Sequence, residues 1–265
     1  MKHSKFDYVK RVVEANIPCL IQGPAGTSKS TTAMQVVEAL DLKMHSITCT
    51  RQTSVNNFLG FLSVTGVYIT SQLRQAFEFG GAFVIEEINA CDANTLICLN
   101  TIENGFLSFP DKIVHRHKDF RLLATANPND NVYSARTNLD FATDDRLLKI
   151  NFEPDAKLEL ALTSQETVDK MKTVRHFLSS QGSSIQATMR DAIRIEKLTK
   201  LGLVKEPILE VIFTSDESLG NMYKLELAEI TTKLQEQKVQ EEKDKLTQHD
   251  MQTFDEFYEK VAKNQ

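Results

Sequence analysis

The chain has 265 residues, 41% of them hydrophobic, which is enough apolar sequence for one large domain or two smaller ones. Its net charge of −5 speaks against a protein wrapped in nucleic acid, and its four cysteines, Cys19, Cys49, Cys91 and Cys98, lack tight C-x-x-C spacing. No apolar run reaches the length of a membrane span, and the start MKHSKFDYVKR lacks the apolar core of a secretion signal, so a cytoplasmic protein with reduced thiols is expected.

The first expected strand is the apolar run ending at Cys19–Ile21. It leads into Gly23, Pro24, Ala25, Gly26, Thr27, Ser28, Lys29 and Ser30, and Thr31–Leu40 then has helical apolar spacing. Strand, loop and helix together are the setting in which a Gly-x-x-x-x-Gly-Lys-Ser/Thr pattern binds phosphate. Backbone N–H groups of such a loop cradle the anion, Lys29 reaches the β- and γ-phosphates, and the Ser30 hydroxyl sits on Mg²⁺. The pattern asks for glycine where Ser28 stands, and a side chain there is costly wherever the backbone needs positive φ. A serine-rich turn with no chemistry is the competing reading.

Further strands are expected at His45–Cys49, Ala82–Ile85, Arg121–Ala126 and Leu147–Phe152, with helical stretches between them. Such alternation predicts an α/β fold with a mainly parallel sheet covered on both faces. In these sheets ligands bind at the carboxyl ends of the strands. Glu86 and Glu87 stand at such an end, Glu86 to orient Mg²⁺ or its waters and Glu87 to polarise the attacking water. Aspartate is usual at the first position, and Mg²⁺ tolerates geometric error poorly. A pair of acids opening a helix is the competing reading. Asn127, followed by Pro128 and Asn129, ends another strand, where an amide can hold the water or touch the γ-phosphate.

Between these strand ends lies a basic run, Lys112, His115, Arg116, His117, Lys118 and Arg121, opposed only by Asp111 and Asp119. It is either a solvated charged hairpin or a grip on an acidic polypeptide or a nucleic-acid backbone. After Phe152-Glu153-Pro154-Asp155 no strand series returns. Helices are expected at Ala156–Leu162, Glu166–Ser179 and Ile185–Leu201, and less clearly at Ile208–Ile230. From Thr231 the chain is dense in Lys, Glu and Gln until Phe254, Phe257, Tyr258 and Val261 recur at helical spacing. The expected organisation is an α/β nucleotide-binding domain over 1–153, a helical domain over 154–230 and a charged, helical extension over 231–265.

GPAGTSKS and AFVIEEIN resemble the two nucleotide motifs of AAA+ ATPases, and the surrounding text is similar to the MoxR-like group with its relatives CbbQ and GvpN. That text includes Asn57-Phe58-Leu59-Gly60, Leu73–Phe79 followed by Gly80-Gly81, and Leu96–Gly105 followed by Phe106-Leu107, a helix and hairpin before the sensing strand. The resemblance covers about residues 5 to 230. It implies a P-loop core followed by a small helical lid, with Glu87 as catalytic glutamate and Asn127 as sensor. Arg146, in Asp144-Asp145-Arg146-Leu147, is implied as the finger reaching a neighbour's ATP, with Arg136 in reserve. Arg190, in Thr188-Met189-Arg190-Asp191, is implied as the second sensor, with Arg194 instead able to pair with Asp191. A surface salt bridge to Asp140, Asp144 or Asp145 is the alternative for Arg146 or Arg136.

By this resemblance the chain is an Mg²⁺-dependent ATPase that forms a homo-oligomeric, usually hexameric ring and remodels a protein client. Such ATPases often work with a partner carrying a von Willebrand factor A domain. Ser28 and Glu86, both departures from the pattern, favour instead a slow or non-hydrolysing nucleotide switch. The basic run leaves a nucleic-acid motor as the third reading, against which the overall acidity argues.

Overall fold

The structure, a computed structural model, describes residues 1–127, 141–203, 205–229, 231 and 232. The chain divides into two compact units, Met1–Pro207 and Ile208–Gln265. The first unit begins with α1 (Phe6–Glu14), β1 (Cys19–Gln22), α2 (Lys29–Ala39) and β2 (Met44–Thr48). Next come α3 (Val55–Leu59), a hairpin of β3 (Phe61–Leu62) and β4 (Tyr68–Ile69), α4 (Gln72–Phe79) and β5 (Gly81–Glu86). A short α5 (Ala93–Leu96) precedes a second hairpin of β6 (Phe106–Ser108) and β7 (Ile113–His115), followed by β8 (Phe120–Ala126), α6 (Phe141–Asp145) and β9 (Leu148–Asn151). Helices α7 (Ala156–Leu162), α8 (Gln165–Ser180) and α9 (Met189–Leu201) follow.

All five strands expected from apolar runs join one sheet, in the order β2-β5-β8-β1-β9, and every pairing within it is parallel. Side chains alternate between two cores, as a period of two requires. Cys19, Ile21, Ala82, Val84 and Leu123 face Phe6, Val9, Val12 and Val13 of α1 and Ala33, Val36 and Val37 of α2. Leu20, Phe83, Ile85, Leu122 and Ala124 face Phe58, Leu73 and Phe77. Covering both faces is what lets near-continuous apolar strands persist in a parallel sheet. Phe77 meets Phe120 edge-on, with ring centroids 5.0 Å apart, and burying each such ring contributes about 2–3 kcal/mol.

The basic run lies on β7, in the turns around it and, at Arg121, on β8. Buried Arg74 of α4 donates to Glu78 at 2.6 Å and to Asp111 at 2.9 Å, its guanidinium 4.6 Å from the centre of the Phe109 ring and 5.3 Å from that of Tyr68. Lys112 also pairs with Glu78, at 2.8 Å. One guanidinium therefore ties both hairpins to α4, and at Arg74 and Lys112 charge is spent within the fold.

Several expected elements differ in extent. Leu96–Gly105 is not one helix but breaks into 3-10 turns at Ile97–Leu99 and Ile102–Asn104. The helix expected from Ile185 starts at Met189, because the Thr188 and Asp191 side chains cap its end reciprocally and end-stop it there. Ile208–Ile230 is broken too: α10 (Pro207–Ile212) is followed by a turn, and residues 217–229 are helical again. There Asp216 accepts from the Leu219 amide at 2.9 Å, and Phe213 stacks on Tyr223 at 5.3 Å. Pro128, Asn129, Arg136, Asp140 and the stripe Phe254, Phe257, Tyr258 and Val261 lie outside the described residues. Among the described residues no helix is long and apolar enough to cross a membrane.

Candidate active site

Three neighbouring strands, β5, β8 and β1, end side by side, and each delivers polar groups to the same edge. After β1 the chain turns through residues 23–28 into α2. Gly23 is pressed against the Phe152 carbonyl, where an added Cβ would lie 2.1 Å from the oxygen. Gly26 has φ 76° and would place a Cβ 2.8 Å from that of Thr188, so both glycines are required by close approach. Thr27 ties the loop to itself through a 2.9 Å bond to the Pro24 carbonyl.

Ser28 adopts φ 63° and ψ 25°, the left-handed conformation that the missing glycine would have supplied. A non-glycine residue pays about 1–2 kcal/mol there. Glu87 is held the same way, at φ 57° and ψ 41°. Two of the four non-glycine residues with positive φ among those described thus stand at this edge, where strain recurs in functional sites.

The Lys29 ammonium is buried and donates to the carbonyls of Gly23 and Pro24 and to Asn127 Oδ1, each at 2.8 Å. Asn127 turns its other end to Glu87, Nδ2 lying 3.0 Å from both carboxylate oxygens. A single amide therefore joins the cation of the loop to the carboxylate of β5. The Ser30 hydroxyl donates to Glu86 Oε2 at 2.9 Å. That separation matches the edge of an octahedron built on metal–oxygen distances of about 2.0–2.1 Å, so the two oxygens fit adjacent positions around a small, hard dication. No cluster of three or more His, Cys, Asp or Glu among the described residues makes a metal site by itself.

Two positioning groups were not singled out by sequence reasoning. Thr125 Oγ1 accepts from the Glu87 amide at 3.2 Å, which helps hold that residue in its strained conformation. Buried Asn89 donates to the Asn127 carbonyl at 2.7 Å. The available signal was a hydroxyl inside an otherwise apolar strand, and an amide two positions past the paired acids.

Ala25, Gly26, Thr27, Ser28, Lys29, Ser30, Glu87, Asn127 and Arg190 all line one cavity of about 450 Å³. Arg190 reaches it from the first turn of α9 and takes part in no ion pair among the described residues, whereas Arg194 pairs with Asp191 at 3.1 Å. Arg146 does not line this cavity. It borders a separate apolar crevice with Ile102 and Leu122, and its Nε lies 3.5 Å from Glu103 rather than from Asp144, which instead accepts from Lys149 at 2.5 Å. Burial pushes the thiols of Cys19 and Cys98 up to about 12, which favours their protonated form.

Residues 18–147 match the model of the AAA domain of the dynein-related subfamily. Among curated proteins, the chain is 27% identical over 116 residues to uncharacterised proteins of Staphylococcus aureus strains USA300 and NCTC 8325, a match spanning 38% of this chain and 44% of theirs. Among solved structures it is similar to NtrX from Brucella abortus, with a TM-score of 0.53 at 15% identity, covering 76% of this chain and 51% of that one. NtrX from the same organism in complex with ATP gives a TM-score of 0.50 at 16% identity, covering 74% and 48%. These matches span about half the length, or less, of the Staphylococcus aureus proteins and of NtrX. Residues 18–147 thus resemble the AAA domain of the dynein-related subfamily, and the fold is shared with NtrX.

Proposed function

We propose that this chain hydrolyses ATP with Mg²⁺, as a MoxR-like member of the AAA+ ATPases. The observation that carries the proposal is the Asn127 amide, which bridges the Lys29 ammonium and the Glu87 carboxylate across the edge of the sheet. Lys29 and the loop amides bind the β- and γ-phosphates, and Glu87 takes the proton of the attacking water. Asn127 reports on the γ-phosphate because whatever displaces its bond to Lys29 also frees its hold on Glu87. Ser30 and Glu86 would hold Mg²⁺, which neutralises phosphate charge when bound. Arg190 would neutralise the γ-phosphate from α9, within a lid formed by the helices after Asp155. Phosphate release from ATP, measured with and without Mg²⁺, tests this directly; no release in either case sinks it.

A second reading, a slow nucleotide-switched scaffold, is favoured by the strained Ser28 and by the longer acid at Glu86. Ser28→Gly should relieve the left-handed strain, partly offset by the greater freedom of an unfolded glycine, for a net gain of about 0.5–1 kcal/mol. Thermal melting should show a rise of a few degrees, with turnover changing less than about tenfold, or ~1.4 kcal/mol of barrier. A much larger gain in phosphate release would favour the switch.

A working ATPase of this type would act as a cytoplasmic ring, usually hexameric, on a protein client, with a von Willebrand factor A domain protein as a candidate partner. The position of Arg146, outside its own subunit's cavity, supports a role at a neighbour's ATP. Arg146→Ala should then leave ATP affinity within about threefold while depressing turnover. Mixing it with Glu87→Gln subunits should restore part of the phosphate release, since an interface can join an intact Glu87 to an intact Arg146. A fully active monomer would reject the arrangement.

A further inference from the structure

The phosphate loop, Glu87, Asn127 and Arg190 account for only part of the cavity's lining. The rest includes Met1, His3, Gln35, Leu158, Leu162 and Ile193, with no fixed charge among these side chains. An apolar wall with a few polar edges suits a flat heterocycle rather than a phosphate. Leu158 and Leu162 belong to α7, so the width of this part depends on how α7 is held.

Residues 3–5 hold it. The His3 ring is buried and stacks on Phe152, with centroids 4.1 Å apart and planes 12° from parallel. Its Nδ1 accepts from the Lys5 amide at 3.1 Å, which leaves the proton on Nε2, 3.3 Å from the Glu153 carbonyl. The Lys5 ammonium donates to the Asn151 carbonyl. Asp155 completes the connection. Its Oδ2 accepts from the Ser4 amide at 2.7 Å, while Oδ1 accepts from the Lys157 and Leu158 amides at 3.0 and 3.3 Å, capping α7. Partial burial alone would raise the Asp155 carboxyl, yet the Ser4 and Leu158 amides outweigh it and hold the group below the usual carboxylate range. The segment so gripped, 151–155, is the one that joins β9 to α7. Phe152 also sits against the start of the phosphate loop, where its amide bonds to the Gln22 carbonyl at 2.6 Å.

We propose that His3, Ser4 and Asp155 form a clasp that sets the position of α7 and thereby the affinity for the nucleoside half of the bound nucleotide. The inference rests on the nucleotide reading of the cavity and deepens it: these are positioning residues, which leave the phosphate loop alone. The distinction is measurable because inorganic tripolyphosphate offers the same phosphates without the nucleoside.

Calorimetric titration of Asp155→Ala and His3→Ala should show ATP affinity lowered at least about tenfold, with tripolyphosphate affinity within about twofold of the parent. His3→Phe keeps the stacking on Phe152 and should bind ATP within about threefold of the parent. Asp155→Asn, which can keep one of its two acceptor contacts, should fall between the parent and Asp155→Ala and serves if the alanine variant melts below the assay temperature. Equal losses for both ligands, or an unchanged ATP affinity, would overturn the clasp. A parent that binds neither ATP nor tripolyphosphate would overturn the nucleotide proposal itself, and the clasp with it.

Discussion

Lys29→Ala is expected to lower ATP affinity at least about a hundredfold, or ~2.7 kcal/mol, measured by calorimetry on the folded variant. The size of the effect follows from where the ammonium sits. It is buried, and each of its three 2.8 Å contacts is made to a neutral oxygen, two from backbone carbonyls and one from an amide. Lys29 lines the cavity from this buried position, where an incoming phosphate gains from its positive charge. Removing it also takes an ammonium donor from the carbonyls of Gly23 and Pro24, the latter keeping its bond from Thr27, so part of the loss comes from a loop held less firmly. Lys29→Arg keeps the charge but brings a planar fork that cannot occupy the same three-acceptor niche, and it should recover only a fraction of the affinity. ATP affinity within threefold of the parent in Lys29→Ala would remove the loop from the binding site.

The sheet and the polar residues at its carboxyl edge are legible in the sequence because both are local. Each sheet strand announces itself as an apolar run, and the polar residue that follows the run lands at the carboxyl edge because the strands are parallel. Glu86, Glu87 and Asn127 are readable for that reason. The hairpin of β3 and β4 is not, because two-residue strands carry no periodicity and its apolar residues resemble loop text. The clasp is invisible for a different reason: Ser4 and Asp155 are 151 positions apart, and neither is unusual in its own neighbourhood. Ser28 lies between these cases. Its mismatch with the glycine pattern flags a strained position, but only the backbone angle of 63° shows that the chain bears the strain instead of avoiding it.

Glu87→Gln should bind ATP as the parent does while its phosphate release falls at least about a hundredfold. General bases contribute about 10²–10⁴ in rate, and glutamine offers an oxygen of nearly the same shape with no useful basicity. Binding should survive because a link from Glu87 to Lys29 passes through Asn127, whose Oδ1 faces the ammonium and whose Nδ2 faces the acid. A glutamine side chain at 87 can still accept from that Nδ2 through its own carbonyl, so Asn127 need not turn. Asn127→Ala supplies the contrast. It removes the bridge from both partners, and should depress turnover while also altering ATP affinity, since Lys29 loses one of its 2.8 Å acceptors. The two variants are thus separated by binding and not by rate alone. Glu87→Gln with parental turnover would mean that another group activates the water. Glu87→Gln with lost ATP affinity would mean that the carboxylate serves the phosphate or metal end of the site, and the base would have to be sought elsewhere along the same sheet edge.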